Sequence, residues 1–124
     1  MSNIWESGRE SRLLDEMIAG RKTIEGRLCR GKFAQYAPGD IVNLRRDFRD
    51  EHGVLQDGEP DATRVEVIAV RRYPTFLEMV TAEDYKKVIP YAPSAQAAAD
   101  EYNTYYSAAD QARYGVLAIE VIML

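Results

Sequence analysis

One cysteine, Cys29, occurs among the 124 residues, so no disulfide can close within the chain and nothing points to an oxidising compartment. A chain of this length buries roughly two-thirds of its unfolded surface on folding, enough for one core without a covalent staple. Residues 1–124 are therefore expected to form a single domain. Long apolar runs are missing too. The longest, Val116 to Leu124, is broken by Glu120 and falls far short of the roughly 20 residues a membrane helix needs. The opening stretch, Met1 to Gly20, mixes charges with isolated apolar side chains and holds no secretory h-region, so the chain reads as cytoplasmic, with no membrane partner.

Histidine is equally scarce. His52 stands alone among Asp50, Glu51, Asp57, Glu59 and Asp61, a spacing that matches neither an EF-hand loop nor a zinc site, so no metal is expected. With one histidine in the chain, Cys29 and Ser107 lack the dedicated base that an activated nucleophile requires. Neither G-x-x-x-x-G-K-[ST] nor G-x-G-x-x-G occurs, which removes support for a nucleoside triphosphate or dinucleotide, and no cofactor is expected.

The net charge of −4 argues against a protein that coats nucleic acid non-specifically, since Lys and Arg contacts to phosphate drive such binding. That average hides an asymmetry. Between Arg21 and Arg49 eight basic residues face three acids, whereas residues 51–124 hold six basic residues against twelve acids.

Leu13, Leu14, Met17 and Ile18 form one helical stripe, and Gly20 follows where a left-handed C-cap belongs. Thr23 to Cys29 then alternates Ile24, Gly26 and Leu28 against Thr23, Glu25 and Arg27, the period of a half-buried strand. Pro38-Gly39-Asp40 marks a turn before a second strand through Ile41, Val42 and Leu44. The acidic, glycine-containing stretch Asp50 to Ala62 reads as a hairpin-like excursion or mobile loop. Thr63 to Tyr73 reads as a central strand, with Val65, Val67, Ala69 and Arg71 on one face and Glu66, Ile68, Val70 and Arg72 on the other.

Thr75 and Glu78 form a capping-box pair opening a short helix, and Pro93-Ser94 opens another whose Ala98, Ala99, Tyr102 and Tyr106 are spaced for packing. Gly115 to Leu124 closes as a strand, with Glu120 opposite its apolar face and directed outward. The order of elements lacks regular β-α alternation, so an α+β fold is expected, with a small, largely antiparallel sheet or barrel flanked by about three helices.

Chemistry concentrates in Gly20-Arg21-Lys22-Thr23-Ile24-Glu25-Gly26-Arg27. A strand entered from a capped helix can present Lys22, Thr23, Glu25 and Arg27 towards one opening. The basic pair there would meet phosphate or base oxygens. Glu25 could accept from an exocyclic amine, hold Lys22 in place, or act as a general base. The plainer reading of the same spacing is a solvated strand face with weak ion pairs. Arg45 and Arg71 could extend a phosphate-tracking groove, with Tyr36, Tyr73 or Tyr85 stacking on bases, although arginines at strand ends are often simply solvated.

The segment GRKTIEGR resembles the G-x-K-x-x-E-x-R signature of the ASCH domains, the activating-signal-cointegrator homology family with a PUA-like barrel. Tyr36 to Val42 is similar to that family's P-G-D turn, Tyr73 to Met79 to the start of its middle helix, and Gly115 to Glu120 to its closing strand. The resemblance implies a small PUA-like β-barrel and a charged cleft beneath it that binds RNA or a modified nucleoside. It also implies an alternative, an RNA-directed hydrolase acting on N4-acetylcytidine or on single-stranded RNA. In the family's amidohydrolases the signature lysine works with a threonine and a glutamate further along. Lys22 carries over, while Glu25 stands where the threonine would be. A hydrolase built on this chain would use Lys22 to polarise a carbonyl and Glu25 to activate water.

Overall fold

The computed structural model describes residues 2–124. Its order is β1 (Ile4–Glu10), α1 (Ser11–Ile18), β2 (Ile24–Leu28), a 3-10 turn (Gly31–Gln35), β3 (Ile41–Arg49), β4 (Leu55–Tyr73), α2 (Phe76–Ala82), α3 (Tyr85–Val88), α4 (Ala95–Tyr105), α5 (Ala108–Tyr114) and β5 (Val116–Met123). The α+β expectation is met, with five α-helices among the described residues in place of about three. None of the described helices is long and apolar enough to cross a membrane.

The five strands form one sheet in the order β1-β3-β4-β5-β2. Only β1–β3 is parallel; the other three pairings are antiparallel. The sheet is not a closed barrel, because β1 and β2 end it on opposite edges and no pairing joins them among the described residues. It curls nevertheless, since Arg9 on β1 and Glu25 on β2 stand 2.6 Å apart across the open seam.

β5 is buried on both faces, which explains its nearly unbroken apolar run. Val116 and Ala118 join Ile24, Leu28, Phe76, Met79, Ala98 and Tyr102 in a core under the helices. Leu117, Ile119 and Val121 join Val42, Leu44, Val65 and Val67 in a second core inside the curl. α1 spans the two, with Leu13 against the first and Leu14 and Met17 inside the second. Ile18, expected on its apolar stripe, is 47% exposed.

The local stop and start signals hold. Gly20 adopts φ +81°, its N–H donates to the Met17 carbonyl and that of Arg21 to the Glu16 carbonyl, the paired bonds of a Schellman ending. The Thr75 hydroxyl accepts from the Glu78 N–H, and the Ser94 hydroxyl from that of Ala97.

Elsewhere the expectations need correction. Of the two readings of the stretch 50–62 the hairpin holds, but the strand expected from Thr63 already begins at Leu55: β4 runs 19 residues, and the Asp50 carboxylate closes the turn by accepting from the N–H groups of His52 and Val54. Alternation along β4 breaks at a register shift between Val67 and Ala69, where Ile68 is the extra residue. Val70 therefore returns to the inner face with Val67, and Arg71 falls outside with Glu120.

Candidate functional site

β2 pairs Glu25 with Ile119 and Arg27 with Leu117, which turns both charged side chains into the curl. Ile24, Gly26 and Leu28 face the helices instead. A Cβ at Gly26 would lie 2.7 Å from Tyr102 Cζ and 2.9 Å from Met79 Cε, so glycine lets α4 lie flat on the strand, where the Gly26 N–H donates to the Tyr102 hydroxyl at 3.2 Å. The polar face of the strand is thus internal, contrary to the solvated reading.

Glu25 is 3% exposed and is ringed by cations: Arg9 Nε at 2.6 Å, an Arg27 terminal nitrogen at 3.5 Å and Lys22 Nζ at 3.9 Å. Burial by itself would raise its carboxyl, but the attraction of Arg9, Lys22 and Arg27 outweighs this and holds it at about 2. Lys22, 2% exposed, donates to the Ile24 carbonyl at 2.7 Å and to the Val88 carbonyl at 2.5 Å, tying β2 to the end of α3. Desolvation lowers it to about 8, with Glu25 opposing the shift and the neighbouring arginines adding to it. Desolvation, followed by repulsion from Arg27, likewise lowers Arg9. For Arg27 the pull of Glu25 overcomes desolvation and the shift is upward.

Two polar atoms in this cluster are buried without a hydrogen-bond partner, Glu25 Oε1 and the Tyr36 hydroxyl. Arg9 Nε is a third, because its N–H is not aimed at the carboxylate oxygen it touches. Tyr36 lies with its ring centroid 5.3 Å from both Trp5 and Phe33, and the Arg27 guanidinium sits 5.3 Å from the Phe33 centroid. Asp40, from the Pro-Gly-Asp turn, fixes this aromatic wall by accepting from Trp5 Nε1 and from the N–H groups of Asn3 and Ala37. On the Lys22 side, the Arg12 guanidinium lies 3.6 Å above the Tyr91 ring, whose hydroxyl donates to Glu101.

The structure therefore brings Lys22, Glu25 and Arg27 together, with the Thr23 backbone alongside, its N–H donating to the Lys87 carbonyl. Arg45 is taken up by Asp47 and Asp57 near the same end of the curl. Arg71 and Tyr73 do not join: they lie on the helix-covered face, Arg71 bridging Glu83 and Glu120 and the Tyr73 hydroxyl donating to Glu83. The shifted register of β4 put them there.

Sequence reasoning missed Arg9 and Trp5. Their alternation with Ser7 was visible, but an inward face carrying Ser7 and Arg9 does not look like a core strand. A cavity of about 580 Å³ lies apart from this cluster, between α2 and α5, lined by Pro74, Leu77, Tyr106 and Gln111 among others.

The solved structure of the hypothetical protein PH0355 is similar to this chain at 31% identity and a TM-score of 0.81, covering 98% of this chain and 99% of that one. Protein PF0455 from Pyrococcus furiosus, solved in solution, is similar at 31% identity and a TM-score of 0.75, covering 98% and 97%. Protein EF3133 from Enterococcus faecalis V583, a member of DUF984, shares 13% identity with a TM-score of 0.59, covering 100% of this chain and 77% of that one, a likeness of fold alone. Comparison with curated proteins returns no match. The ASCH domain model matches residues 11–124, which spans the Lys22-Glu25-Arg27 signature and every strand but β1, and the chain belongs to the ASCH domain family.

Proposed function

We propose that this protein, acting as one domain over residues 1–124, binds RNA or a modified nucleoside at the polar cluster of Lys22, Glu25 and Arg27, with Thr23 flanking it and Arg45 at its rim. The observation that carries this reading is a buried carboxylate oxygen and a buried phenol, Glu25 Oε1 and Tyr36 Oη, left without partners beside cations and an aromatic wall. Buried polar groups are nearly always satisfied, so such atoms suit a ligand that supplies the missing hydrogen bonds. Membership of the ASCH family, associated in general with RNA, supports the same reading. Arg71 and Tyr73 drop out of the ligand set, because their partners are already on the opposite face.

The hydrolytic alternative asks Glu25 to activate water, and a carboxyl held at about 2 is a poor base near neutrality. Binding is the function the geometry supports better. The test is titration of the protein with single-stranded RNA and with N4-acetylcytidine, followed by Trp5 fluorescence, with chromatography of the mixture for product. Saturable binding that Lys22→Ala and Glu25→Ala abolish, without turnover, is the expected result. Turnover lost in both variants would make the protein a hydrolase; no binding of any ligand would remove the site.

A further inference from the structure

We propose that Arg9 and Arg27, the two guanidinium groups flanking Glu25, receive the phosphate of a nucleotide, so that the site takes a phosphate-bearing ligand in preference to the neutral nucleoside. The inference rests on the reading of this cluster as a nucleotide site and adds the chemical class of its ligand.

The charge balance leads to it. Arg9, Lys22 and Arg27 all converge on Glu25, a single carboxylate, in a place where Arg9, Lys22 and Glu25 are each at most 5% exposed. Among the described residues Glu25 is the one carboxylate within 4 Å of these three cations; Asp47 is paired with Arg45, and Glu101 acts on Lys22 only from farther off. Uncompensated buried charge is unfavourable, and an oxyanion is the ligand that removes the excess.

Hydrogen bonding points the same way. Arg9 uses one terminal nitrogen on the Ser7 hydroxyl at 3.0 Å and the Gly8 carbonyl at 2.6 Å, while its Nε touches Glu25 Oε2 at 2.6 Å without a well-directed hydrogen bond. Arg27 donates to the Gly26 carbonyl at 2.8 Å and keeps 18% of its side chain exposed, which places it at the entrance and Arg9 behind it. Paired guanidinium forks match the oxygens of a phosphate better than a single lysine does. Between β1 and β2 no strand pairing closes the sheet among the described residues, and an anion would enter there beside the partly exposed Arg27.

Arg9 stands on β1, before the residues matched by the ASCH model, so the signature alone does not supply it.

The experiment measures affinities of cytidine, uridine, their 5′-monophosphates and inorganic phosphate by calorimetry and amide chemical shifts. Charge-assisted hydrogen bonds of this kind predict monophosphates binding about tenfold or more tighter than nucleosides. Inorganic phosphate should compete. Arg27→Gln and Arg9→Gln should erase the difference between monophosphate and nucleoside, and Arg9→Lys, which keeps the charge without the fork, should restore part of it. Glu25→Gln, by removing the one carboxylate, should tighten inorganic phosphate. Equal affinity for nucleosides and monophosphates, or a phosphate preference indifferent to both arginines in folded variants, overturns this inference and leaves the proposed function standing. Inorganic phosphate binding no weaker than the monophosphates overturns the nucleotide as its source. Absence of binding by every probe and by RNA overturns both readings.

Discussion

Glu25 and Lys22 respond to pH in opposite senses, because one ion is stabilised by its surroundings and the other is penalised. The Glu25 carboxyl falls from 4.5 to about 2 on folding, so its contribution is complete above the unfolded value and is lost as pH drops through the folded one. The difference corresponds to about 3 kcal/mol, and urea unfolding from pH 6 down to pH 2 should show the native state losing stability within that window. Lys22 falls from 10.5 to about 8, so the folded state binds fewer protons than the unfolded one between those values and stability should rise with pH across them. Comparing urea midpoints of the parent and Lys22→Met from pH 7 to 10 checks the sign: the rise should belong to the parent alone. Glu25→Gln leaves Arg9 and Lys22 without their carboxylate and should cost about 3 kcal/mol, as removal of one partner from a buried pair commonly does; a change below about 1 kcal/mol would mean the pair is solvated. At this scale the grouping of Glu25 and Arg27 was legible, since a period of two places alternate residues on one face, and Lys22, off that alternation, was legible from the signature. Their burial was not, because that face could equally have met water.

Among the elements, β2 depends on having no side chain at Gly26. Adding the methyl of Gly26→Ala would press on the Tyr102 ring and Met79 and should cost about 1–3 kcal/mol by overpacking, read as a lower thermal midpoint with the stack of Phe76 on Tyr102 disturbed. Capping signals were readable because they involve residues three apart: Thr75 with Glu78 was recognised, and Ser107 with Asp110 opens α5 by the same bond, a signal that went unread. The inner face of β4 was misassigned beyond Val67 for a definite reason. One extra residue, Ile68, inverts the alternation, and nothing in the local sequence distinguishes a bulged strand from a regular one.

For the whole molecule, β1 is the element most remote from the motif and most consequential for it. It pairs in parallel with β3, packs Trp5 against the inner core and delivers Arg9 to Glu25. A chain beginning at Ser11, with the family signature intact, should therefore lose its cooperative thermal transition or melt far below the full chain. An unchanged melting curve would show that β1 only decorates the sheet.

The residues themselves determined the helix stops and starts, the alternating strands, the α+β class and the family signature, because each of these follows from neighbours within a few positions. Tertiary structure alone decided that the sheet curls without closing, that Arg71 and Tyr73 face away from the motif, and that Arg9 completes it. Those outcomes depend on strand register and on contact between opposite edges of one sheet, and the order of residues along the chain carries no local mark of either.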